Sequence, residues 1–309
     1  MLKPVFLFSG QGSQYPGMGR ELCGQYGCAA RTYEKASDIL GYDVLKLSCG
    51  GSAQELAKTL YSQPLIYTLS MAACAVLMEN GVAPAAVAGF SLGECSALAA
   101  AGAMDAETGF RVINARARAM QKAAESSDGA MYAVIGPSAQ EIEAACSQAD
   151  GYVIPVNYNC PGQIVIAGEC GAAQRAADAL KDSGARVVRL AVNAAFHSRL
   201  MLDAAGEFYA QISQYKYAVP RIGFYSNVTG GRAQIDDIPL YLKGQMTSPV
   251  RFIDETGAMS RDGIDAFIEL GPGRALCGFI RKGIQGAATF NVEDPKSLEK
   301  CLAAARQQG

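Results

Sequence analysis

The chain has 309 residues, 50% of them hydrophobic and 18% charged, a balance that argues against disorder and buries a core in one large domain or in a large and a small one. A net charge of −2, a pI near 5.6 and the lack of any Lys/Arg-rich run supply no basic field for nucleic acid. Ten cysteines without a C-x-x-C pair read as buried thiols of a cytoplasmic protein, and no run approaches about 18 apolar residues, so no membrane span is expected.

Val5–Phe8 is a short apolar run stopped by Gly10-Gln11-Gly12-Ser13-Gln14, which predicts a buried strand followed by a loop; the run is too short for a secretion signal. Residues 63–80 have helical length and apolar periodicity. Pro84 then precedes a second apolar run, 86–90, that stops at Ser91, and 92–101 reads as a helix. A helix over 108–125 follows, and the polar Ser126-Ser127-Asp128-Gly129 breaks the composition. Beyond it come a strand at 131–135, a helix at 138–149, strands at 153–157 and 163–167, a helix at 170–183 and a strand at 187–192. That β-α-β-β-α-β order matches the ferredoxin-like split motif. After Phe196 long helices resume, with isolated strands at 222–225 and 266–270 expected to rejoin the first sheet. With 34 glycines suited to tight strand-to-helix turns, the expected fold is α/β. A large, α/β-hydrolase-like domain with a mostly parallel sheet covers 1–127 and 195–309, and an inserted ferredoxin-like small domain covers 128–194.

Gly89-Phe90-Ser91-Leu92-Gly93 is a G-x-S-x-G sequence between a predicted strand and a predicted helix. The flanking glycines allow the strained turn that lifts a serine hydroxyl out of a sheet, and the following helix aims its N-terminus at a developing oxyanion. The pattern itself is short, so its strand-turn-helix context carries the weight. A serine nucleophile needs a base, and His197 is the chain's single histidine. A lone histidine is otherwise an ordinary hydrogen-bonded residue, and one histidine leaves no imidazole-rich metal site. Arg116 shares a helical stripe with Ile113, Ala117, Met120 and Ala124, opposite Arg118, Gln121, Lys122 and Glu125. A guanidinium on a core-facing stripe either pairs with a buried carboxylate or faces a pocket for an anion, and the pattern alone favours the ion pair.

Further segments stand in a recognisable order: Phe8-Ser9-Gly10-Gln11-Gly12-Ser13-Gln14, Gly89–Glu94, Arg116-x-x-x-Met120-Gln121, Val156-Asn157-Tyr158-Asn159-Cys160-Pro161-Gly162-Gln163, Ala195-Phe196-His197-Ser198, Gln245-Met246-Thr247-Ser248-Pro249-Val250 and Glu269-Leu270-Gly271-Pro272-Gly273. Across essentially its whole length the chain resembles the malonyl-CoA:acyl carrier protein transacylases of fatty-acid synthesis, with the acyltransferase domains of polyketide synthases as close relatives. The resemblance implies Ser91 as the acylated nucleophile, His197 as its base, the Gln245 main-chain carbonyl as the partner of the imidazole, and the Gln11 and Leu92 amides as an oxyanion hole. It also implies Arg116 as the bidentate partner of the malonyl carboxylate, with Phe196, Met120 and Asn159 in the substrate pocket. Phe196 either limits room for a branched acyl group or merely packs.

By the same resemblance no cofactor or metal is bound, malonyl-CoA is the substrate, an acyl carrier protein is the partner, and the enzyme is a monomer working by a ping-pong mechanism. Arg274, Arg281 and Lys282 are one candidate for a basic cluster that an acidic partner could meet. The sequence departs from the family at Phe90, where histidine is usual, and Glu94 takes the simple role of a carboxylate near a helix N-terminus. Polyketide assembly is the alternative pathway, and a serine thioesterase is the rival enzyme. An α/β-hydrolase, however, has an acidic triad member, and no spacing nominates Asp128, Asp150, Asp182 or Asp203. A non-catalytic scaffold is the other rival, and it would not form a serine adduct.

Overall fold

The computed structural model describes residues 3–307 as a mixed α/β fold built on two sheets. The larger has strand order β10-β9-β1-β2-β7-β8, from β1 (Pro4–Phe8), β2 (Ala86–Gly89), β7 (Gly223–Ser226), β8 (Gly231–Ala233), β9 (Ala266–Leu270) and β10 (Ala288–Val292). All its neighbours pair in parallel except β7 and β8. β1, β2 and β9 are buried along their whole lengths, which is why Val5–Phe8 and 86–89 lack alternation: a parallel strand covered on both faces has no solvent side.

The smaller sheet is antiparallel throughout, in the order β4-β5-β3-β6, from β3 (Gly129–Ile135), β4 (Val153–Cys160), β5 (Gln163–Glu169) and β6 (Arg186–Arg189). One face packs on the helices Ala139–Gln148 and Cys170–Asp182, where Tyr132, Val134, Ile164 and Ile166 meet Ile142, Ala173, Ala177 and Leu180. The other face carries Met131, Val165 and Ala167 into the main core. β4 is also tied to the segment after Gln245: Tyr158 N donates to Val250 O and Val250 N to Val156 O, both at 2.8 Å.

The structure corrects two expectations. The sheet has further strands at 231–233 and 288–292, and the half-exposed side chains of β10 explain why no apolar run marked it. β4 runs on to Cys160, through a bulge between Pro155 and Asn157. The helix Thr59–Glu79 does reach the length and hydropathy of a membrane span, with a mean hydropathy of 1.3, but 78% of that window is buried against the rest of the protein. It is a core helix.

Candidate active site

Ser91 follows the carboxyl end of β2, and the helix Gly93–Ala100 starts two residues later. The turn is tight enough to dictate both flanking glycines: a Cβ on Gly89 would collide with the backbone of Gly93, and one on Gly93 with the carbonyl of Phe8 in β1. Ser91 (φ 54°) and His197 (φ 62°) are the non-glycine residues with positive φ among those described. Such conformations cost of order 1–3 kcal/mol each and persist only where surrounding contacts over-determine them. Here both strained residues meet, with Ser91 Oγ 2.7 Å from His197 Nε2.

His197 is buried, and its Nδ1 lies 3.1 Å from both Gln245 O and Ser248 O. A carbonyl only accepts, so Nδ1 carries the proton and Nε2 presents its lone pair to the serine hydroxyl. No carboxylate bonds to the imidazole among the described residues. Burial, reinforced by the nearby Arg116 charge, lowers the pKa of His197 from 6.5 to about 4, which keeps it a neutral base at ordinary pH.

Arg116, on the helix Ala106–Ser126, is only 1% exposed. The sequence pattern favoured an ion pair, and the structure overturns that: no salt bridge engages Arg116 among the described residues. Its Nη1 donates to Gln63 Oε1 at 2.9 Å, and its Nη2 donates to Ser91 Oγ and Gln245 Oε1, each at 3.1 Å. Its Nε has no partner. A buried cation held by neutral oxygens, with a donor to spare, is electrostatically incomplete until an anion arrives.

The rest of the site is assembled around these groups. Gln245 does two jobs: its carbonyl meets His197 while its Nε2 donates to Ser91 O at 2.7 Å. Among the described residues, neither Gln11 N nor Leu92 N donates a hydrogen bond within the protein. A cleft of about 400 Å³ opens at Ser91, His197 and Gln11, walled by Met120, Phe196 and Asn159. Met120 Sδ accepts from Gln63 Nε2 at 3.2 Å, and the buried Asn159 Oδ1 has no partner. Leu92, next after Ser91 in the turn, is fully buried and is not among the residues lining the cleft. Phe90 packs edge-on against Phe252 at 5.5 Å and lines the cleft, where its Cδ1 would lie 2.8 Å from a Cβ placed on Gly10.

The model of the acyl transferase domain family matches residues 5–297. The malonyl CoA-acyl carrier protein transacylase of Bacillus subtilis is 34% identical over 313 residues, covering 100% of this chain and 99% of the relative. The crystal structure of the Clostridium perfringens enzyme of the same name superposes with a TM-score of 0.95 at 36% identity, covering 99% of this chain and 98% of that one. A type II polyketide-synthase acyl-carrier protein in complex with its malonyl-transacylase offers a second match, with a TM-score of 0.94 and 36% identity over 98% of this chain and 99% of the other. The chain belongs to the acyl transferase domain family.

In this acyl transferase the sequence reading missed Gln63, Asn227, Tyr241 and Ser248. Gln63 is a fully buried polar residue in an apolar helix, and Asn227 directly follows β7 at the carboxyl edge of the sheet, where α/β folds place their sites. Those positions were the available signal. Glu94 keeps its expected first-turn place and has partners that the sequence did not reveal. It sits in the first turn of its helix, but it is fully buried and its Oε1 accepts from Asn227 N and Tyr241 OH, both at 2.7 Å. Burial raises its pKa to about 7.

Proposed function

We propose that the chain transfers a malonyl group from malonyl-CoA to the phosphopantetheine thiol of an acyl carrier protein in fatty-acid biosynthesis, through a malonyl-serine intermediate. The observation that carries this reading is Arg116: a buried guanidinium lacking a carboxylate partner, bonded to the same Ser91 Oγ that faces the His197 base. A malonyl chain brings the missing carboxylate to that spot, and an acetyl chain leaves the cation uncompensated.

His197 Nε2 takes the Ser91 proton as Oγ attacks the thioester carbonyl. The amides of Gln11 and Leu92 receive the oxyanion, a role supported by their having no acceptor within the described residues. The carbon–sulfur bond breaks and CoA leaves as the thiol with the proton from His197. The carrier thiol then gives its proton to His197 and attacks the serine ester, and Ser91 regains the proton as the ester bond breaks. The carbonyls of Gln245 and Ser248 orient the imidazole in place of a triad carboxylate, which suits a thioester because it is a more reactive electrophile than an amide. Met120, Phe196 and Asn159 shape the acyl and pantetheine path. No cofactor enters the scheme, and the chain is proposed to act as a monomer. Ten free thiols, buried or half-buried, support a cytoplasmic setting.

The strand order of the smaller sheet, with helices on one face, supports a ferredoxin-like unit at 128–194. The parallel sheet ending in the Ser91 turn supports an α/β-hydrolase-like unit from 1–127 and 195–309. Arg274, Arg281 and Lys282 are exposed around the helix Ala275–Gly283, whose Leu276 and Phe279 line the cleft, which supports carrier docking beside its mouth. Intact-protein mass spectrometry after brief exposure to malonyl-CoA or acetyl-CoA tests the reading. A malonyl increment on the native chain, absent from Ser91→Ala and discharged by a phosphopantetheinylated carrier, is expected. An adduct cleared as fast by water as by the carrier makes the chain a thioesterase, and no adduct makes it a scaffold. Discharge by fatty-acid as against polyketide carriers separates the two pathways.

A further inference from the structure

The underside of the Ser91 turn is a closed polar network centred on Asn227, a residue with no exposed surface and no contact with the cleft. Its Oδ1 accepts from Ser91 N at 2.8 Å. Its Nδ2 donates to Gly89 O at 2.7 Å and to Glu255 Oε2 at 2.8 Å. Its main-chain N donates to Glu94 Oε1 at 2.7 Å, and its carbonyl accepts from Arg251 N at 2.9 Å. The amide therefore clamps both sides of the nucleophile turn, holding the carbonyl of Gly89 two residues before Ser91 and the N–H of Ser91 itself.

The surroundings leave the amide one orientation. A main-chain carbonyl faces its nitrogen and a main-chain N–H faces its oxygen, so a flipped amide would set like against like at both Gly89 O and Ser91 N. Glu255 is fully buried, its pKa pushed well above the ordinary carboxylate range by burial and by the neighbouring Glu94. It lies on the helix Phe252–Arg261, so the clamp joins this helix, β2 and β7 in one network.

We infer that Asn227 is the positioning residue of the nucleophile, holding Ser91 at φ 54° and occupying its N–H so that the oxyanion donors must be other main-chain amides. Strain at Ser91 needs opposing restraint, because relaxation toward negative φ would swing Oγ away from His197. Gln245 Nε2, on Ser91 O at 2.7 Å, restrains the other side of the same residue. Asn227 and Gln245 thus grip the Ser91 backbone from N–H and C=O, and only Gln245 also touches the base and Arg116. Glu255 acts one step back, as the acceptor that fixes the Asn227 amide.

This inference rests on Ser91 being the acylated residue. The test is single-turnover acylation by malonyl-CoA in rapid-quench mass spectrometry, where the final adduct amount counts competent enzyme and the rate constant reports positioning. In Asn227→Ala the rate constant falls by about 100-fold, the scale expected for a misplacement near 1 Å, while the malonyl-CoA concentration for half-maximal rate shifts less than about threefold. A rate constant within threefold of native, per competent site, overturns the inference, as does a loss confined to substrate binding. Should Asn227→Ala yield too little folded enzyme, Glu255→Ala and Glu255→Gln are read in the same way. Glu255→Gln keeps an acceptor for Asn227 Nδ2 and retains the native rate constant, whereas Glu255→Ala loses about tenfold. Equal rates in these two overturn the inference. Failure of the underlying reading looks different: native enzyme and Ser91→Ala would then be acylated alike or not at all.

Discussion

The parallel and antiparallel sheets both line the cleft, but they treat their residues differently. On the parallel side the site is strained and charged: Ser91 and His197 hold positive φ, Arg116 is a buried cation, and Glu94 and Glu255 are buried acids. On the antiparallel side the lining is apolar or amide, from Met131, Ala133, Asn157, Asn159, Gln163 and Val165 in relaxed strands. Reacting groups are costly to hold and need many restraints, whereas a binding wall needs only shape and a few hydrogen-bonding atoms. Substitutions on the first side should therefore act on rate constants, and those on the second on substrate concentration dependence.

The comparison is tested most severely at the reacting pair. Ser91→Ala should abolish the covalent malonyl adduct, and His197→Ala should cut the acylation rate constant by at least about 10³-fold, since removing one member of a cooperating pair forfeits nearly all its contribution. Rapid-quench kinetics reads both, and a His197→Ala enzyme within tenfold of native would remove the imidazole from the chemistry. Arg116→Ala comes next. Malonyl transfer should fall by about 10²- to 10³-fold in kcat/KM while acetyl transfer falls far less, because only the malonyl group loses a charge-assisted contact. An equal fall for both substrates, read by competition between the two thioesters, would make Arg116 a structural cation instead.

The pH profile gives a smaller effect with a fixed sign. The imidazolium is disfavoured by burial and by Arg116, so the base form survives as pH falls from 6.5 to about 4. At pH 5.5 an ordinary imidazole would be only about one-tenth neutral. Acylation at that pH should therefore stay close to its neutral-pH value, with the acid limb of kcat/KM near 4 once acid unfolding is excluded by circular dichroism. An acid limb at 6.5 would show that the imidazole is solvated in the working enzyme. The same shift makes His197 a source of acid lability: the unfolded chain binds a proton that the folded chain refuses, so stability falls as pH drops through this window.

The sequence made the parallel side legible wherever physics acts locally. Continuous apolar runs marked β1 and β2, the glycines around Ser91 marked the turn, and a single histidine left one candidate base. What stayed hidden depends on distant pairing. Helical periodicity placed Arg116 on a buried face, but it carries no information about Gln63 and Gln245, which meet it across the tertiary structure. Asn227 reads as an ordinary residue after a strand until Gly89, Ser91 and Glu255 close around it. β10 escaped because a half-exposed edge strand, Ala288–Val292, lacks the apolar run that reveals a central one.

The smallest effect lies on the antiparallel side, at Asn159. Its Oδ1 is buried without a partner, although the residue lines the cleft in which the pantetheine arms of both malonyl-CoA and the carrier are proposed to bind. A buried amide oxygen left unpaired is unfavourable in the empty protein, and an amide N–H on the pantetheine arm is the group that would satisfy it. Asn159→Ala removes the oxygen together with its desolvation cost, so the empty protein should be as stable as native or slightly more stable by thermal melting. Substrate loses one neutral hydrogen bond, worth about 1 kcal/mol, so KM should rise about fivefold for malonyl-CoA and for the carrier alike, with the acylation rate constant unchanged. A drop in rate constant without a rise in KM would place Asn159 among the positioning residues and erase the distinction between the two sides of the cleft.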